Sequence, residues 1–147
     1  MNDRASYLLM RFAIYVRDME AQIRYYGTDV SIHEAEIHMI KAIKQTGETH
    51  VSGLAEKLGV TKGAVSQIIM KLHKKRLVDK ETDASNQSKL NVSLTPKGEV
   101  AYARHEELHQ QFDTMTEEEL AKYPEEFRET MSTFLKGLMA GLEKWEE

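Results

Sequence analysis

Two sets of side chains in this sequence have the types and spacing to do chemistry. The first comprises Thr61, Lys62, Gly63, Ser66, Gln67, Lys71, Lys74 and Lys75. On a helix, the residues of this set at three- and four-residue spacing share one side. Their hydroxyl and carboxamide groups would present donors and acceptors together there. Ammonium groups beside them would attract phosphate. Such a surface suits base-pair edges in a DNA groove, with lysines on the backbone. The second set is histidine-rich. His105 and His109 stand at i, i+4, a spacing at which two imidazoles can share one metal ion, and Glu106 and Glu107 adjoin them. His33, Glu34, Glu36 and His38 make another group. An i, i+4 histidine pair is a common coincidence on a solvated helix face, so spacing alone does not establish a metal site.

The polar set needs a scaffold, and the flanking residues describe one. Leu54, Ala55 and Leu58 fall on one face of a short helix that Gly59 breaks. Glycine supplies the left-handed backbone that a sharp helix-to-helix turn requires. Val60 is expected to pack inward, and Thr61 to cap a second helix with Val65, Ile68 and Leu72 on its inner side. Two helices in this register form a helix-turn-helix, whose second helix enters the major groove. The competing reading is an ordinary helical hairpin. The segment behind the second helix, which should end near Arg76, argues against it. Residues 77–82 alternate like a strand, 83–89 form a polar loop, and Leu90, Val92 and Leu94 alternate again. A hairpin directly behind a recognition helix is a wing, with Asn86, Gln87, Ser88 and Lys89 near its tip, placed to reach phosphate or the minor groove.

The rest of the chain reads as helix. Leu8, Phe12, Tyr15, Met19, Ile23 and Tyr26 recur at helical spacing from residue 4 to about 26, where Gly27 and Asp29 end the pattern. Ser31 with Glu34 makes a capping-box pattern for a second helix running to about Lys44, with Ile37, Ile40 and Ile43 inward. Thr95 and Pro96 open a helix to about Asp113. Thr116 opens a further short helix that Pro124 interrupts. The last helix carries Phe127, Met131, Phe134, Leu135, Leu138, Met139, Leu142 and Trp145 in a broad apolar stripe. The end segments are amphipathic beyond the needs of a small core. A reader with one recognition helix usually pairs to cover two half-sites, so a homodimer built on these segments is expected.

Charge follows the same division. The chain of 147 residues carries a net charge of −4. Between Lys57 and Lys89, eight basic residues face only Asp79, Glu81 and Asp83, whereas acidic runs such as 117–119 and 125–126 lie beyond Glu99. One basic face on an acidic molecule attracts polyanions where wanted and repels them elsewhere. There is no cysteine, which removes disulfide and thiol redox chemistry. No apolar run reaches bilayer-spanning length and the N-terminus leads into no signal-peptide core, so a cytoplasmic protein with no membrane partner is expected. No nucleophile elbow, P-loop or dinucleotide fingerprint is present, so the expectation is not an enzyme. A winged-helix protein-interaction module is the alternative function.

The order of elements, together with residues 51–67, Leu77-Val78 and Val92-Ser-Leu-Thr-Pro-Lys-Gly98, resembles the MarR (multiple antibiotic resistance regulator) family of transcription factors. The last segment reproduces the family's Leu-Thr-x-x-Gly pattern. The resemblance implies a mainly α fold with a small β-hairpin wing. It divides 1–147 into a winged helix-turn-helix core, residues 30–95, and helical dimerisation regions, 1–29 and 96–147. It further implies a homodimer on a palindromic operator in double-stranded DNA, acting as a repressor released by an effector. No cofactor is required. Zinc-responsive members bind metal with helix-borne His and Glu, which points to Glu36, His105 and His109, with Glu20 as a fourth ligand. Other members hold small aromatic or anionic ligands between the dimer helices and the winged helix, which points to Tyr7, Phe12, Tyr15, His38 and Met39. The sequence departs from the family in two places. Asn86 and Ser88 stand where an Asp-x-Arg wing motif is usual. Arg76 stands where glycine often precedes the first wing strand.

Overall fold

A computed structural model describes residues 4–21, 24–47, 50–86 and 90–145. The elements run α1 (Ala5–Ala21), α2 (Glu34–Thr46), α3 (Val51–Leu58), α4 (Lys62–Lys74), β1 (Val78–Thr82), β2 (Leu90–Leu94), α5 (Pro96–Leu120) and α6 (Glu125–Glu143). The chain divides into two compact units, residues 1–106 and 107–147, with the boundary inside α5.

In the first unit, α2, α3, α4 and the hairpin enclose the core. Ile37, Ile40, Leu54, Val65, Ile69, Leu72, Leu77, Val78 and Val92 are buried there. The inner line of α4 is Val65, Ile69 and Leu72, with Ile68 only half-buried. The expected line used Ile68 instead. Spacings of four and three fit the 3.6-residue repeat equally well, and packing selects between them. Val60 is 46% exposed and Leu58 is also exposed, so neither packs inward as expected. The turn that holds them points away from the core.

Both helices of the pair end in the same way. After α3, the Val60 N–H donates to the Ala55 carbonyl and the Gly59 N–H to the Glu56 carbonyl, with Gly59 left-handed at φ 65°. After α4, the Leu77 N–H reaches the Leu72 carbonyl and the Arg76 N–H the His73 carbonyl, with Arg76 at φ 58°. These are Schellman closures, for which glycine is the unstrained choice. Arg76 adopts the left-handed backbone despite its Cβ. Arg76→Gly is therefore expected to stabilise the fold by about 1 kcal/mol, read as a higher urea midpoint at unchanged slope.

The hairpin pairs antiparallel, Val78 with Leu94 through Thr82 with Leu90. Thr95 then caps α5: its hydroxyl oxygen accepts from the Gly98 N–H at 3.0 Å and its hydroxyl donates to the Arg76 carbonyl at 2.8 Å. Pro96 is the first helical residue, as its fixed φ and missing N–H favour.

Three expected boundaries move. The first helix ends at Ala21 among the described residues. Tyr26 instead lies in the link before α2, left-handed at φ 45° and buried, its ring 5.8 Å from that of His105. The cap of α2 is two residues later than the Ser31–Glu34 pattern. Ile32 still bridges to Arg24, so the chain stays extended until His33, whose N–H donates to Glu36 Oε2 at 2.8 Å. In the second unit, α5 runs unbroken to Leu120. The Thr116 hydroxyl bonds back to the Phe112 carbonyl one turn earlier and caps nothing. The interruption falls at residues 121–124, where Pro124 precedes α6.

Candidate nucleic-acid interface

The helix α4 carries the polar set on the side opposite its buried line. Thr61, Lys62, Gly63, Ser66, Gln67, Met70, Lys71 and Lys74 are all exposed. Thr61 fixes the start of the helix: its Oγ1 accepts the Ala64 N–H at 3.2 Å. That bond satisfies one of the free donors of the first turn and leaves others, with the positive end of the helix dipole, facing outward. No acidic residue occurs from Lys57 to Val78, so nothing on this helix repels a phosphate backbone. Ser66 and Gln67 offer short, adjacent hydrogen-bonding groups. Lys71 and Lys74 follow about one turn later, both exposed, and carry their charges at the end of long side chains.

Lys75 does something else, and its expected place among the phosphate contacts is corrected. Its Nζ donates to Glu36 Oε1 at 2.8 Å, to Glu36 Oε2 at 2.7 Å and to the Ser31 carbonyl at 2.7 Å. Glu36 is only 3% exposed. The pair thus ties the C-terminal end of α4 to the N-terminal end of α2 inside the fold. A charge with three internal acceptors is not free to neutralise phosphate.

The wing is anchored where its loop leaves β1 by a residue that sequence reasoning left in a polar loop. The Asp83 carboxylate accepts from the Ser85 N–H at 2.8 Å and the Ser85 hydroxyl at 2.6 Å, and lies 3.0 Å from His50 Nε2. The Ser85 hydroxyl, with His50 and the Ser85 amide behind it, holds the Asp83 carboxyl well below the usual carboxylate range. Because that value is depressed on folding, the contact contributes above the ordinary carboxylate pKa and fades only as pH falls further. His50 also bridges to Asn91, so one histidine joins the approach to α3 to both strands' ends of the wing. The Asp-x-Ser spacing is an Asx-turn signal that marks this site in sequence. Nothing local marks His50. Asn86 is exposed, and its N–H donates to the Asp83 carbonyl. Gln87, Ser88 and Lys89 lie outside the described residues.

The residues expected to bind metal are spread over different roles. Glu36 has both carboxylate oxygens on Lys75 and one also on the His33 amide, so it is no open ligand. His105 is buried between the rings of Tyr26 and His38, the latter centred 6.0 Å away. Burial, opposed by Arg24 and aided by Glu20 and Glu34, raises the Tyr26 hydroxyl pKa. His109 is half-buried on α5 in the second unit. Among the described residues, no three His, Cys, Asp or Glu side chains are grouped to hold a metal ion. Of the residues expected around an organic ligand, Met39 belongs to the core. His38 is exposed on α2. Tyr7, Phe12 and Tyr15 are exposed on α1, where Arg11 lies over both tyrosine rings.

Comparison with known proteins agrees with this geometry. Residues 31–87 match the model of the MarR family. A stretch of 115 residues, 73% of the chain, is 27% identical to the uncharacterized HTH-type transcriptional regulator YhjH of Bacillus subtilis (strain 168). Another of 107 residues is 28% identical to the HTH-type transcriptional regulator PchR of the same organism. The matches span 66% and 63% of those relatives, just under two thirds of their length. Among solved structures, Streptococcus pneumoniae FabT in complex with DNA superposes with a TM-score of 0.72 at 24% identity, over 98% of this chain and 99% of that one. Lactococcus lactis ZitR, a zinc-responsive MarR family member, gives 0.71 at 18% identity, over 93% and 98%.

Proposed function

We propose that the chain is a transcriptional regulator of the MarR type, a homodimeric repressor that binds a palindromic operator; the match of residues 31–87 to that family's model and the two HTH-type relatives support the reading. The recognition helix is α4. Thr61, Ser66 and Gln67 meet base edges, Gly63 lets the backbone approach, and Lys62, Lys71 and Lys74 meet phosphates. The wing adds contacts at the flank, Asn86 among them. The observation that carries this reading is the exposed, acid-free, hydrogen-bonding face of α4, held from behind by a buried ion pair.

The second copy is called for by apolar surface. On α1, Met10, Phe12 and Tyr15 are exposed, and so are Phe134, Leu138 and Leu142 on α6 and Trp145 just beyond it. Helices with such stripes bury them against another surface, and a closed twofold dimer also supplies the second recognition helix. The effector we assign is a small aromatic or anionic molecule, with Tyr7, Phe12, Tyr15 and His38 available to it. A metal effector has less support, because Glu36 is committed to Lys75.

Gel-shift titration across salt tests the reading. Log affinity should fall with log salt at a slope of about −0.9 for each phosphate neutralised. Lys71→Glu with Lys74→Glu should make the slope shallower by about two per half-site, about four for the dimer, and weaken binding evenly across sequences. A slope near zero in the unaltered protein, or a double variant that binds as tightly as its parent, would refute it.

A further inference from the structure

Met70 occupies the centre of the recognition face of α4. It is 58% exposed, and its neighbours on that face are Ser66 and Gln67 one turn before and Lys71 and Lys74 just after. Single exposed apolar side chains are ordinary on protein surfaces. Here position decides. Every other long side chain on this face hydrogen-bonds or carries positive charge. A duplex seated on the face must therefore cover Met70 as well.

We infer that Met70 reads the C5-methyl group of thymine and sets a thymine requirement in each half-site. The inference rests on the DNA-binding reading above and deepens it. In the major groove, thymine alone among the four bases carries a methyl group. Opposite Met70, the exocyclic amine or carbonyl of another base would lose water without gaining a partner, which is unfavourable. A thymine methyl group instead shares its burial with an unbranched, adaptable thioether. Met70 lies three residues beyond Gln67, about 4.5 Å along the helix, against about 3.4 Å per base pair. The thymine it meets is thus a neighbour of the pair that Gln67 contacts, and the two side chains read adjacent positions.

The experiment starts with duplexes selected by the full-length protein from a random library. Each thymine is then replaced singly by deoxyuridine, which removes only the methyl group. The unaltered protein should lose affinity about fourfold at one position per half-site, the value for withdrawing one buried methylene-sized group. Met70→Ala should bind the thymine duplex about fourfold more weakly per half-site and be indifferent to uracil at that position, while keeping the parental salt slope. Met70→Leu should restore the preference. Met70→Ala that still shows the full uracil penalty, or a parent that shows none while its salt slope stays steep, overturns the assignment and leaves DNA binding intact. A library that yields no enriched duplex overturns the DNA-binding reading and this assignment with it.

Discussion

Gly98→Ala is expected to destabilise the fold by about 3–5 kcal/mol, although helix propensity alone favours alanine by roughly 1 kcal/mol. Gly98 lies in the first turn of α5, against the strand entry. A Cβ built there would stand 2.1 Å from the Leu77 carbonyl oxygen, 3.2 Å from its carbon and 3.4 Å from Leu94 Cβ. The nearest atom is backbone, so no side-chain rotation relieves the overlap. The Leu77 carbonyl also accepts the Thr95 N–H at 3.1 Å. Moving it would strain that bond and the two hydrogen bonds of the Thr95 hydroxyl, which join Arg76 to Gly98. Overpacking and the weakened hydrogen bonds thus act on the same few residues. Urea unfolding decides by sign: a midpoint at or above the parent's would mean that α5 can slide away from β1 freely. The same geometry gives the Leu-Thr-x-x-Gly pattern its physical content. Threonine caps the helix, and glycine lets the helix touch the strand entry.

The second large effect is expected at Lys75. Lys75→Met should cost about 3 kcal/mol, because it leaves the Glu36 carboxylate buried with the His33 amide but without its cation. The figure is at the low end for a broken buried pair, since the lysine side chain is 23% exposed and water screens part of the attraction. Replacing both partners, Glu36→Leu with Lys75→Met, should recover most of the loss, because two apolar groups leave no charge unpaired. The double-mutant cycle measures the coupling. If Lys75→Met unfolds at the parental midpoint while its gel-shift salt slope drops by about one per half-site, Lys75 is a phosphate contact after all and the pairing is incidental. The structural reading requires the opposite pattern, a lowered midpoint with an unchanged slope.

Much of this protein was legible in its sequence because the relevant constraints are local. Gly59 with Thr61 specifies a turn and a cap within three residues, and the structure has both. The alternation of Leu90, Val92 and Leu94 specifies a strand face, and Thr95 with Pro96 specifies where α5 begins. The polar face of α4 is likewise a matter of helical period, and Ser66, Gln67, Lys71 and Lys74 are exposed on it. What the tertiary structure alone decided depends on groups that are distant in the chain. Lys75 and Lys74 are adjacent and chemically identical. One is inside and one outside because a carboxylate 39 residues earlier lies opposite only the first. Gly98 is required by a carbonyl across a gap that no spacing rule contains. Ser31 misses its cap because Ile32 is still paired with Arg24, and Val60 faces outward because the turn is aimed by the packing of both helices. Periodicity tells which side of an element is apolar. It carries no information about what stands opposite, and that opposition separates an exposed lysine from a structural one.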